Sequence, residues 1–189
     1  MSLKDLVKIG SKSENVVEVT EDLLNKNMDK YRELIAYWRL YPDRLVDFYC
    51  GLNPHNTFHL YFYQRMFLRV CMRHKMVYAT FVRAWSKSFM SVLSLMLKAI
   101  LYPNAKLFTV AAGKEQSAQI LSSKVDEICK LIPAMEKEII WDTRGSRATT
   151  RQSKDSTTYT FKNGSTLQNI AASEKTRGAR FHSGLNMII

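Results

Sequence analysis

Glycine is scarce in this chain. There are seven in 189 residues, and none lies between Gly51 and Gly113. That excludes a phosphate-binding loop of the standard glycine-rich kind from the stretch between them. Cysteine is scarcer: Cys50, Cys71 and Cys129 are odd in number, far apart and form no C-x-x-C pair. A disulfide frame and a cysteine zinc site are thereby excluded, which leaves buried or idle thiols in a reducing compartment. His55, His59, His74 and His182 are scattered, with no partner at ligand spacing, and read as structural or surface residues. Long apolar runs are missing too. The longest apolar-rich stretch, residues 89–101, is too short to span a membrane and is broken by Ser91, Ser94 and Lys98, so it predicts a buried helix. Residues 1–27 are polar and mixed in charge, without the apolar centre of a secretory signal. The expectation is a soluble, intracellular protein.

Acidic side chains are outnumbered, 17 against 28 Lys and Arg, giving a formal net charge of +11. Such an excess suits an anionic partner such as nucleic acid, or serves solubility alone. The length permits one sizeable core with a small appendage.

Residues 1–27 read as a loosely ordered leader. From Met28, apolar positions including Leu34 and Trp38 recur at helical spacing up to Leu40. Tyr41-Pro42-Asp43 interrupts, and Pro42 suits the first turn of a second helix through Phe48, closed by Cys50-Gly51. After the turn Asn53-Pro54-His55-Asn56, a third helix carries Leu60, Tyr63, Phe67 and Val70 and ends before Arg73-His74-Lys75. Strands and helices then alternate: a strand at 76–82, a helix at 87–101, a strand at 106–111 and a helix at 114–131. Residues 138–141 suit a short strand. Asn163-Gly164 between the β-prone runs 157–161 and 166–170 is a strong hairpin signal, and residues 185–189 begin one more strand. Trp38 and Trp141 read as core or interface residues. The fold class is α/β, with a largely parallel sheet covered on both faces.

The most informative stretch is Val77-Tyr78-Ala79-Thr80-Phe81-Val82-Arg83-Ala84-Trp85-Ser86-Lys87-Ser88. Strand, turn, Lys-Ser and helix in that order frame a phosphate-binding loop, where backbone N–H groups and a helix N-terminus face an anion. Lys87 would meet the β- and γ-phosphates of a nucleotide, and the Ser88 hydroxyl would hold Mg²⁺. Phe81 and Ser86 stand where the standard pattern has glycine. Ser86 is therefore expected at negative φ or in a reshaped turn. An ordinary strand-to-helix turn is the competing reading.

Further features stand at ordered distances around that loop. Phe62-Tyr63-Gln64-Arg65 precedes it by about twenty residues. Tyr102-Pro103-Asn104-Ala105-Lys106-Leu107-Phe108-Thr109-Val110-Ala111 and Gln116-Ser117-Ala118 follow, then Lys175-Thr176-Arg177-Gly178-Ala179-Arg180 before the apolar run Leu185-Asn186-Met187-Ile188-Ile189. Over roughly residues 40–189 this set resembles the N-terminal ATPase domain of viral terminase large subunits, the DNA-packaging motors of tailed phages. The resemblance implies a P-loop ATPase that uses ATP and Mg²⁺ to move double-stranded DNA into a procapsid. It also implies a small terminase subunit and a portal as partners, assembly as a homo-oligomeric ring, and action in the host cytoplasm away from membranes.

The family's loop is often a variant with an arginine near its start, so Arg83-Ala84-Trp85-Ser86-Lys87-Ser88 resembles it better than the glycine-rich standard. By that resemblance Arg83 stabilises charge developing on the γ-phosphate, or is an exposed turn residue. Gln64 reads adenine through its amide, or is a polar residue on the open face of its helix. The chain divides into a leader (1–27), a helical segment with the adenine-side helix (28–75) and the P-loop core (76–189). The core is expected to be incomplete, because residues 185–189 resemble the strand that bears metal-coordinating acids and no Asp or Glu follows Glu174. Asp126 and Glu127 are mid-helix and read as solvated. The family's nuclease domain, of a ribonuclease H-like fold, is not in this sequence, and no hydrolysis is expected from residues 1–189 alone.

Between Arg144 and Arg180 stand eight basic and two acidic residues, among them Arg144, Arg147, Arg151, Arg177 and Arg180. With interspersed Ser, Thr and Gly they suit contact with DNA phosphates, or form a solvated face. Two rival functions stay open. One is a helicase-like ATPase, which shares the glutamine before the loop. The other is a non-catalytic basic DNA-binding fragment with a vestigial loop.

Overall fold

The computed structural model describes residues 21–111, 113–141, 151–152, 156–171 and 186–188. Four helices come first: α1 (Glu21–Leu40), α2 (Pro42–Gly51), α3 (Phe62–Arg73) and α4 (Lys87–Leu101). β1 (Lys106–Ala111) follows, then α5 (Lys114–Leu131) and the single turn α6 (Pro133–Glu136). β2 (Arg151–Gln152), β3 (Thr157–Thr160), β4 (Thr166–Ala171) and β5 (Asn186–Ile188) complete the elements. The class is mixed α/β, and α4, β1 and α5 occupy the residues that periodicity predicts. α1 begins at Glu21, so the end of the expected leader is helical; residues 1–20 lie outside the described residues.

The sheet has the order β2-β3-β4-β1-β5. β1 runs parallel to β4, with Lys106 opposite Thr166, and parallel to β5, with Phe108 opposite Ile188. The β2–β3 and β3–β4 pairings are antiparallel. The sheet is therefore mixed, which corrects the largely parallel expectation. Its cause is local: Gly164, at a φ of +83°, turns β3 back along β4, and a tight hairpin joins only antiparallel strands. Leu107, Phe108 and Thr109 are buried in succession, so both faces of β1 are covered there. Residues 138–141 contribute one antiparallel bridge, Ile139 to Phe161.

The expected strand at 76–82 is not in the sheet. The segment pairs with no described strand, and Met76, Tyr78 and Val82 are 91%, 95% and 73% exposed. β-propensity becomes a ladder only where a strand edge and same-face neighbours receive it. Here Phe81 instead packs its ring on Trp85 and Phe67.

α4 is the centre of the molecule. Met90, Leu93, Leu95, Met96 and Leu97 are completely buried, as an apolar stretch without a polar face requires. The helix packs against α1, α3, α5, β1 and β4. Each such side chain contributes on the order of 2 kcal/mol by leaving water. α2 and α3 are clamped by charge. Arg69 donates to the buried Asp43 carboxylate from Nε and Nη2 at 2.7 and 2.8 Å, and Arg65 grips Asp47 at 2.7 and 2.8 Å. Trp38 is a core residue, whereas Trp141 sits at the rim, edge-on to Tyr159.

Candidate functional site

The two ends of α4 are treated differently. At its C-terminus all four final carbonyls are satisfied. The Lys98 oxygen accepts from Tyr102 N–H at 3.1 Å. Asn163 Nδ2 donates to Ala99 O and Ile100 O at 2.7 and 3.0 Å, and Arg39 donates to Leu101 O at 2.9 and 3.1 Å. At the N-terminus no side chain caps the helix, and the N–H groups of Lys87, Ser88 and Phe89 have no acceptor among the described residues. Those free donors, with the positive end of the helix dipole, make an anion-binding terminus.

The turn leading into that terminus is unusual. Ala84 and Ser86 both take positive φ, +65° and +64°. Of the two expectations for Ser86, a negative φ or a reshaped turn, the first is corrected: it adopts the left-handed conformation normally given to glycine, at a strain of roughly 1 kcal/mol. Alternation of left-handed residues along a short turn aims successive N–H groups into one concavity. Trp85, between the two, explains how the turn is held. Its ring stacks on Phe81 at 4.2 Å and meets Phe67 at 5.6 Å and Tyr63 at 5.3 Å. Trp85 therefore ties the turn to α3.

Arg83, Ala84, Trp85, Ser86, Lys87 and Ser88 line a cavity of about 280 Å³, together with Phe89 and with Lys124 and Glu127 of α5. A second cavity of about 290 Å³ adjoins it, lined by Tyr61, Gln64, Ser86, Phe89 and Glu127 among others. The folding thus brings Gln64 beside the loop. Gln64 is buried, not on an open helix face, and its Oε1 accepts from Tyr61 N–H at 3.0 Å as part of the α3 cap. Its Nε2 donors face no protein acceptor among the described residues.

Lys124 and Glu127 are the residues that sequence reasoning missed. Asp126 is exposed as expected, but Glu127 is half-buried and paired to Lys124 at 2.6 Å. Their i,i+3 spacing announced a charge pair on one helix face. That this face meets the loop is a tertiary fact.

Ser88 was assigned to Mg²⁺ by resemblance. Its partly buried hydroxyl lines the loop cavity, and no group of three His, Cys, Asp or Glu suited to a metal occurs among the described residues. A single hydroxyl fits a magnesium ion delivered on phosphates, which keeps most of its oxygen ligands from phosphate and water. Cys71 and Cys129 are buried, and burial pushes their thiols up to about 11 and about 12, so both are inert at neutral pH. His55, His59 and His74 are exposed. Arg144, Arg147, Arg177, Arg180 and His182 lie outside the described residues, and Arg151 opens β2. No described helix is long and apolar enough to cross a membrane. Compared with protein-family models and with curated proteins, the chain matches none.

Proposed function

We propose that residues 83–88 hold the β- and γ-phosphates of ATP, and that the chain is the nucleotide-binding part of a P-loop ATPase of the viral DNA-packaging kind. The observation that carries this reading is the junction at Ser86. A turn with two left-handed residues delivers Lys87 and Ser88 to an uncapped helix N-terminus, in a cavity that opens beside Gln64. In the proposal, backbone N–H groups of the loop and helix donate to phosphate oxygens, and Lys87 neutralises the β/γ charge. Arg83 lies against the γ-phosphate, where charge develops in the transition state. Ser88 contributes its hydroxyl to the Mg²⁺ that the nucleotide carries, the ion neutralising phosphate charge when bound. Gln64 donates from Nε2 to the adenine. Duplex DNA as the polyanionic partner is supported by the net charge of +11.

The reaction would be in-line attack of water on the γ-phosphate, coupled to DNA translocation into a procapsid by a ring of subunits with a small terminase subunit and portal. A helicase-like motor is the other reading that Gln64 beside the loop favours, and unwinding of forked DNA would identify it. The loop assignment is tested first. Lys87→Ala should weaken Mg-ATP binding about 10- to 100-fold by calorimetry, the range for losing a hydrogen-bonded charge, with the melting curve unchanged. Equal affinity in the variant would remove the loop from the nucleotide site.

A further inference from the structure

The two cavities beside α4 share three side chains: Ser86, Phe89 and Glu127. Ser86 and Phe89 belong to the loop and its helix, and Glu127 reaches the same place from α5. A sugar joins the base of a nucleotide to its phosphates, so a side chain that borders both cavities lies where the sugar lies. We propose that Glu127 recognises the ribose of the bound nucleotide by accepting a hydrogen bond from its 2′-hydroxyl, and that Lys124 positions the carboxylate. The inference rests on residues 83–88 being the phosphate loop.

The chemistry fits the position. An ionised carboxylate only accepts hydrogen bonds, so it pairs with hydroxyls and repels phosphate oxygens. Lys124 relieves that repulsion. Its ammonium holds Oε2 of Glu127 at 2.6 Å, and it lines the loop cavity but not the base cavity, so its charge stands on the phosphate side. Oε1 has no partner among the described residues and is the atom left for the sugar. A carboxylate reading a ribose hydroxyl is an established solution in dinucleotide-binding folds that share no sequence with this chain. Glu127 is half-exposed on its helix, so its replacement leaves the core intact.

The full chain is titrated calorimetrically with ATP, 2′-deoxy-ATP and inorganic tripolyphosphate. The wild-type protein should prefer ATP over 2′-deoxy-ATP by about tenfold or more, the range of a hydrogen bond to a charged group. Glu127→Ala should bring that ratio close to one while binding tripolyphosphate as well as, or better than, wild type. Glu127→Gln keeps the side chain's size but replaces the charged acceptor with a neutral amide, whose hydrogen bonds to a hydroxyl are weaker. Should the alanine variant melt early, the glutamine variant carries the same test, with a ratio clearly below that of wild type. A ratio near one in the wild-type protein, or a ratio that the variants leave unmoved, overturns the ribose assignment. Lys87→Ala separates the two ideas. If it removes tripolyphosphate binding while the sugar ratio is insensitive to Glu127, the loop reading stands and only this proposal falls. If tripolyphosphate binding survives Lys87→Ala, the loop reading fails and takes this proposal with it.

Discussion

In the proposed site Gln64 divides one amide between two duties. Oε1 accepts the Tyr61 N–H that would otherwise be an orphan at the start of α3, and Nε2 is left for the base. Replacement by alanine would confound the two. Gln64→Glu separates them, because a carboxylate still accepts the capping N–H but donates nothing to a base. We expect Gln64→Glu to melt with wild type while losing about 1–3 kcal/mol of ATP affinity, the worth of a side-chain–base pair, and losing less for GTP. Gln64→Ala should in addition lower stability by about 1 kcal/mol through the lost cap. Equal losses for ATP and GTP in the glutamate variant would show that the amide does not touch the base. That Lys87 and Ser88 open a helix, and that Gln64 lies on the helix before them, was legible in sequence because apolar spacing marks both helices. Glu127 was not, since a mid-helix carboxylate gives no local sign of what its face will meet.

α4 owes its firm C-terminus to distant parts of the chain. Asn163 reaches it from the tip of the β3–β4 hairpin, 64 and 63 residues away, and Arg39 from the end of α1. The hairpin tip is fitted tightly: a Cβ on Gly164 would collide with the Asn104 side chain. Asn163→Ala removes both donors and leaves Ala99 O and Ile100 O unpaired. Urea denaturation should register a loss of about 1–3 kcal/mol, with nucleotide affinity little changed because the proposed phosphate loop lies at the far end of the helix. A stability loss below a few tenths of a kcal/mol would mean that water replaces the asparagine without cost. The segment 76–82 shows the opposite dependence. Its residues have strand propensity, but no described edge meets them, so they form no strand and all but Phe81 stay exposed.

The clamp between α2 and α3 makes the whole molecule sensitive to acid. Burial pushes the Asp43 carboxyl upward, but hydrogen bonds from Arg69, its charge and the donor on Arg65 outweigh this and hold it below the ordinary aspartate range. A folded value below the unfolded one, about 3.9, gives stabilisation that is complete above that value. It is lost as pH falls through the depressed folded value. Asp43→Asn should cost about 1.5–3 kcal/mol at neutral pH, since it leaves the Arg69 guanidinium without its carboxylate while Arg65 keeps Asp47, and should flatten the acid limb of a stability-against-pH curve. An acid limb as steep as that of wild type would assign acid sensitivity to other carboxylates. Much of the molecule followed from local chemistry: the buried helix at 87–101, the break at Pro42, and the hairpin at Asn163-Gly164. Periodicity, proline and glycine act within a few residues, and that range suffices to start, stop and turn an element. The parallel pairing of β4 with β1, the unpaired 76–82, the left-handed Ser86 and the approach of Glu127 to the loop were decided by packing alone. Each depends on which distant edge, ring or helix face arrives as a neighbour, and no short window of residues contains that neighbour.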